Sequence, residues 1–306
     1  MDLGTLYART VEGWAERVNA VPPERWDDPT PCRDWTVRDL VNHVCGEDRW
    51  TAPLVEGRTI EEVGDRLEGD LLGDDPISSA LAAAADATRA VAHGLPEDRP
   101  VHLSYGDEQL GEYVHQLAAD HLIHGWDLAV ATGGDPRLDP ALVAEVSRWF
   151  AEREELYRSV GAVGPRAAAS HGDPQSELIA GAGRDPGWGP NHAALTRFSR
   201  AFGDRDVDAI MALMTEDCVF EATGPAPDGV RHEGAPAVRA AWTQLFDDTR
   251  DATFAEEEAF VCGDRGVLRW RFAWTDEQGA PGHVRGVDVL RLRDGKVAEK
   301  LSYVKG

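Results

Sequence analysis

The sequence predicts two joined folds, an all-helical bundle in its first half and an α+β domain with a curved antiparallel sheet in its second. Three observations predict this. At 306 residues the chain is about twice a typical single-domain length. Apolar residues recur at helical spacing through roughly the first 160 residues, and strand-like runs follow about residue 250. A stretch rich in Gly, Pro, Ala and Asp, residues 161–191, separates the two grammars.

The first helix is expected over Leu3 to Val21, with Leu6, Val11, Trp14 and Val18 on one face and Pro22-Pro23 ending it. A polar loop, Asp27 to Trp35, leads to Thr36, which stands three residues before Asp39 as in a capping box. The next helix is read to about Trp50, its stripe formed by Val37, Leu40, Val41 and Val44. An Ala-rich helix is expected over about Ile77 to His93, and a short extended segment over Arg99 to Asp107. A fourth long helix spans about Gln109 to Ala131 and stops at Thr132-Gly133-Gly134, a glycine C-cap signal. Another follows over about Pro140 to Val160. In the second half, helices over about His192 to Met214 and Ala235 to Asp248 flank a strand from Asp217 to Ala222. Strands then run over Ala252–Val261, Gly266–Thr275 and His283–Arg293, and Asp294-Gly295 turns into a last strand, Lys296 to Val304.

A net charge of −24 argues against nucleic acid or an anionic membrane as partner, because phosphate contacts need clustered Lys and Arg. No run approaches the roughly 18–20 apolar residues of a membrane span. The opening Met1-Asp2-Leu3-Gly4 lacks a signal-peptide pattern, so the chain is read as cytoplasmic. Cys32, Cys45, Cys218 and Cys262 form no CxxC pair and are read as small buried hydrophobes.

The chemistry concentrates on the fourth long helix. Asp120 and His124 are four apart and share one face with Leu117, Leu128 and Ala131. Polar groups on an inward stripe need partners, since burying them bare costs several kcal/mol. A shared metal would supply one, and a plain His–Asp ion pair would supply another. His43, at the edge of the stripe of the second helix, can point inward as well. Two imidazoles and one carboxylate make a facial site with an open position, suited to a catalytic zinc or another divalent ion. His121, on the same face, and His115 and His93 are nearby alternatives left outside the set.

The stretch Trp35-Thr36-Val37-Arg38-Asp39-Leu40-Val41-Asn42-His43-Val44, preceded by Thr30-Pro31-Cys32, resembles the opening motif of the mycothiol-dependent maleylpyruvate isomerase N-terminal family. Asp120-x-x-x-His124-Gly125-Trp126-Asp127-Leu128-Ala129 resembles its second motif, and Gly183-Arg184-Asp185-Pro186 its ending. The resemblance covers residues 1 to about 187. It implies a DinB-like four-helix bundle binding a divalent metal, zinc above all, through His43, Asp120 and His124, with mycothiol as a cofactor. The named isomerase carries Glu at the position of Asp120, and Asp is common in a broader metal-binding subfamily.

Residues 192–306 resemble the SnoaL-like and ketosteroid-isomerase-like α+β cone. The resemblance rests on Arg285 to Val297, on Met214 to Phe220 and on His232-Glu233-Gly234. It implies that Asp288 points into the cone as general base or protonated acid, with His232, Trp242, Trp270, Trp274 and His283 as pocket candidates. The usual isomerase base position is Ala222 here, with Glu221 beside it. Three readings stand together. The first is a metal-dependent thiol transferase or isomerase that activates a mycothiol-type thiol or water against a small organic substrate held partly by the cone. The second is a SnoaL-like cyclase, isomerase or hydrolase with a structural metal. The third is a non-catalytic small-ligand-binding protein. A homodimer paired through the cones' sheets is a further expectation.

Overall fold

The computed structural model describes residues 1–91, 95–167, 172–249, 252–275 and 279–305. They form two compact units, Met1–Trp188 and Gly189–Gly306.

In the first unit, α1 (Leu3–Asn19), α2 (Val37–Val55), α4 (Pro76–Ala90) and α5 (Leu110–Thr132) make a four-helix bundle. α1 packs on α5 and α4, and α2 on α4 and α5. The Thr36–Asp39 capping box starts α2 with both reciprocal hydrogen bonds in place and so sets the phase of every side chain on it. α2 runs about a turn beyond the expected end, through Pro53, because Leu54 and Val55 bury in the core. Ala80, Ala83, Ala84 and Ala87 of α4 are buried, and their small side chains let α2 and α1 approach closely. The expected C-terminal end of this helix, His93, lies outside the described residues. Gly133 caps α5 in the left-handed region (φ 77°).

One feature refines the expectation and three depart from it. The Arg99–Asp107 segment is a hairpin, β1 (Pro100–Leu103) against β2 (Gly106–Gln109). A short α3 (Ile60–Val63) precedes α4, and the helix after α5 is broken into α6 (Pro140–Ala151) and α7 (Glu154–Ser159). The Gly/Pro-rich stretch is no bare linker. It contains α8 (Pro174–Gly181), whose Leu178 and Ile179 pack with Val146 and Phe150 of α6. Composition hid a helix of only eight residues.

In the second unit the first expected helix is two, α9 (Pro190–Gly203) and α10 (Val207–Ala212), divided where Arg205 takes a left-handed φ of 62°. Then come β3 (Met214–Glu221), β4 (Arg231–Glu233), α11 (Ala235–Asp248), β5 (Thr253–Cys262), β6 (Arg265–Thr275), β7 (Pro281–Arg293) and β8 (Lys296–Val304). The sheet order is β4-β3-β8-β7-β6-β5. It is not antiparallel throughout: β3 runs parallel to β8. The β5–β8 meander fixes the direction of β8 by hairpins, and β3 joins it across a connection that includes α11. Phe198, Phe202, Trp242, Phe246, Trp270 and Leu290 fill the concave face. Trp270 pairs across the strands with Gly286 and lies over it; a Cβ there would come within 2.1 Å of the indole.

Gly286→Ala is therefore expected to cost about 1–3 kcal/mol by overpacking, read as a lower midpoint in urea unfolding of the second unit. Unchanged stability would show that the indole is free to step aside.

Candidate metal centre and the buried cone cluster

α2 and α5 bring the three predicted residues together. His43 Nε2 lies 3.4 Å from Asp120 Oδ2, and His124 Nε2 lies 3.3 Å from Asp120 Oδ1. One ligand atom from each of the three falls within 4.8 Å of the others. Ligands about 2.0–2.1 Å from a tetrahedral ion stand roughly 3.3–3.4 Å apart, so these spacings suit a shared cation. Asp120 Oδ2 is buried without a hydrogen-bond partner, an orphan that such a cation would satisfy. The His43 and Asp120 side chains keep 31% and 28% of their exposure, against 6% for His124, which leaves one side of the group open. Trp35 borders it, with its ring 5.0 Å from that of His43 and 6.0 Å from that of His124.

The charges around the group follow from burial and pairing. Burial opposes ionisation of Asp120, but His124 and His43 outweigh it and hold the carboxyl well below its usual range. Burial likewise opposes charge on His124. The Asp120 charge, together with the imidazole's own hydrogen bonds to Asp120, Asp127 and Cys32, overrides it and raises His124 well above its ordinary value. Glu47, one turn beyond His43 on α2, is pushed up by burial and then by the neighbouring Asp120 charge.

Four participants escaped the sequence reading. His124 turns Nδ1 to Asp127 Oδ2 at 2.9 Å, and Asp127 is fully buried. Arg184 reaches the same oxygen at 3.2 Å and Cys32 Sγ at 3.3 Å, and Cys32 Sγ lies 3.3 Å from Asp127 Oδ2. Glu47 is the fourth. The usable signals were the spacing of Asp127, three beyond His124 on one helix, and of Glu47, four beyond His43. Arg184 stands in the Gly183-to-Pro186 motif, but it arrives 57 residues after Asp127 and no spacing rule ties it to this corner. Cys32 also corrects the view of the cysteines as buried hydrophobes. Cys45 and Cys218 are buried, but Cys32 is half-buried in this polar corner and Cys262 is exposed, because strand alternation turns Cys262 outward at the end of β5.

The alternative histidines have other partners. His121 sits between Asp48 (3.0 Å) and the Leu117 carbonyl (2.7 Å). His115 faces the Gly111 carbonyl and stacks on Trp149. His93 lies outside the described residues. A cleft of about 340 Å³ lined by Arg9, Arg17, Trp14 and His121, among others, includes none of the three convergent residues.

In the cone, Asp288 is buried on β7 and faces Lys300 and Ser302 of β8. Lys300 Nζ lies 2.9 Å from Asp288 Oδ2 and donates to Ser302 Oγ at 2.7 Å; Ser302 donates to Asp288 Oδ1 at 2.7 Å. The ammonium also stands 5.1 Å from the rings of both Phe202 and Phe220. A cavity of about 20 Å³ beside Asp288, walled by Phe202, Phe254, Leu268 and Trp270, has room for one water. Of the pocket candidates, Trp242 and Trp270 are core residues, His232 stacks on Phe220, and Trp274 lies over Gly282. His283 is exposed, which removes it from the pocket: its side chain alternates to the outer face of β7. Glu221 pairs with Arg231 at 3.5 Å.

Fold and site define a two-part chain, a bundle with a His₂Asp convergence followed by an α+β cone. Residues 7–129 match the mycothiol maleylpyruvate isomerase N-terminal domain and residues 195–300 the SnoaL-like domain. Uncharacterized protein Rv0738 of Mycobacterium tuberculosis is 30% identical over 154 residues, spanning 47% of this chain and 75% of that protein. The cone is similar to an NTF2-like protein from Mesorhizobium loti (38% identity, 38% of this chain and 92% of that one, TM-score 0.34). It is also similar to one from Burkholderia pseudomallei (19%, 38% and 91%, 0.34). The chain belongs to the mycothiol maleylpyruvate isomerase N-terminal family, here fused to a SnoaL-like domain. Among the described residues, no helix is long and apolar enough to cross a membrane.

Breaking the cone's ion pair by Lys300→Met alone is expected to cost about 3–5 kcal/mol, since it strands a buried carboxylate. The double variant Lys300→Met/Asp288→Leu should recover most of that loss in a double-mutant cycle. Additive losses would mean that the two groups do not depend on each other.

Proposed function

We propose that His43, Asp120 and His124 hold one divalent ion of the zinc class and that the bundle uses it to activate a low-molecular-weight thiol of the mycothiol type, or water, against a small organic substrate. The observation carrying this reading is the convergence of one ligand atom from each of the three residues to within 4.8 Å of the others, at a carboxylate whose Oδ2 is buried without a hydrogen bond. A bound ion lowers the pKa of a thiol or water on its open side. The chain's own residues do the rest. Asp120 neutralises charge between the two imidazoles, Trp35 supplies an apolar wall, and Glu47, whose carboxyl is raised by burial and by the Asp120 charge, would be the group to exchange a proton with a bound ligand. The proton on His124 is what an incoming cation displaces, so metal uptake weakens as pH falls.

The SnoaL-like unit is proposed to handle a small organic substrate at Asp288. The polar cluster of Asp288, Lys300 and Ser302 speaks for chemistry there and against a purely apolar ligand-binding cone. We take the protein to work in the cytoplasm on small molecules.

Purified protein is expected to carry one equivalent of divalent metal, and His43→Ala to carry less than a tenth of that. Cobalt-substituted protein should change its visible spectrum when mycothiol is added. A metal-free wild type would end the metal reading, and an unmoved spectrum at millimolar thiol would end the thiol part. If the cone is instead the sole catalyst, His124→Ala keeps turnover of a small-molecule substrate while folded Asp288→Asn loses it. Loss of turnover in His124→Ala, with the fold intact by circular dichroism, would assign the chemistry to the bundle.

A further inference from the structure

The metal reading leaves the second side of His124 unexplained. Its Nδ1, Cys32 Sγ and an Asp127 oxygen also lie within 4.8 Å of one another, a second group with metal-ligand chemistry that shares His124 through the opposite ring nitrogen. The corner already holds a cation. The Arg184 guanidinium lies 3.2 Å from Asp127 Oδ2 and 3.3 Å from Cys32 Sγ, and Arg184 Nη1 is fixed to the Ala182 carbonyl at 2.7 Å. Asp127 is fully buried, and its Oδ2 meets the Arg184 guanidinium at 3.2 Å and His124 Nδ1 at 2.9 Å. A guanidinium only donates, so the shared carboxylate oxygen is an acceptor and His124 Nδ1 faces it as a donor. That leaves Nε2 turned toward Asp120.

We propose that Asp127, clamped by Arg184 and Cys32, is the positioning residue of the metal centre: it locks His124 with Nδ1–H on its carboxylate and Nε2 toward the ion, while Arg184 closes the Cys32–His124–Asp127 corner to a second ion. This rests on the metal reading above. A carboxylate behind a ligating imidazole fixes its ring orientation and raises its basicity, and losing such a partner typically weakens metal binding about 10–100-fold. Residues from three distant parts of the chain, the loop before α2, the end of α5 and the segment after α8, thereby act on one ring.

The test is a competition titration with a chromophoric chelator, using zinc and then cobalt on the full chain at fixed pH. Asp127→Asn should weaken zinc binding about 10–100-fold, with the melting temperature of the metal-free protein recorded separately. Affinity equal to wild type overturns the positioning role. Arg184→Ala, which leaves Asp127 and both imidazoles present, should take up a second cobalt ion with a thiolate-to-cobalt charge-transfer band in the near ultraviolet. That band should disappear in Arg184→Ala/Cys32→Ala and be absent in Arg184→Lys. No second ion in Arg184→Ala overturns the exclusion role even if Asp127→Asn is too unstable to titrate. A wild type that binds no metal at all overturns the underlying reading, and this proposal with it.

Discussion

Asp120 sits between two imidazoles on the inner face of a bundle, and the organisation of the first unit follows from that carboxylate. Burial alone would drive it neutral; the paired histidines keep it charged, and one of its oxygens still lacks a hydrogen-bond donor. Such an arrangement persists only if the helices presenting the three groups are held in register. The Thr36–Asp39 box fixes the start of α2 and Gly133 the end of α5. The alanine face of α4 lets α2 seat deeply enough for His43 to reach across.

The cone answers a similar problem differently. Its buried charge is an Asp288–Lys300 pair closed on itself by Ser302 and flanked by two phenylalanine rings. Asp288, Lys300 and Ser302 partner one another and the adjoining space admits a single water, whereas the bundle's group keeps an open side and an unmet oxygen. The two units thus differ in readiness. The bundle presents ligands toward solvent, and the cone would have to shift its aromatic lining before anything larger than water could meet Asp288.

Much of this was legible in the residues. The bundle helices and the long strands follow from 3.6- and 2-residue periodicity, the four-residue step puts Asp120 and His124 on one face, and the family resemblance adds His43 as the third member of the set. What periodicity does not encode stayed hidden. α8 is too short and too glycine-flanked to stand out. The split at Arg205 depends on a single left-handed residue. The parallel β3–β8 pairing is a property of topology. Lys300 reads as an ordinary polar strand residue until register sets it beside Asp288, two positions from its directly paired Ser302. Arg184 and Cys32 matter only because the chain returns to the same imidazole after long excursions, and no local pattern predicts a return.

X-ray absorption at the zinc edge of the loaded, thiol-free protein tests the account most directly. A first shell of nitrogen and oxygen only, at about 2.0–2.1 Å with the multiple-scattering pattern of two imidazoles, is the predicted result. A sulfur scatterer at about 2.3 Å would place the ion in the Cys32 corner instead and contradict the assignment of His43, Asp120 and His124 as its ligands.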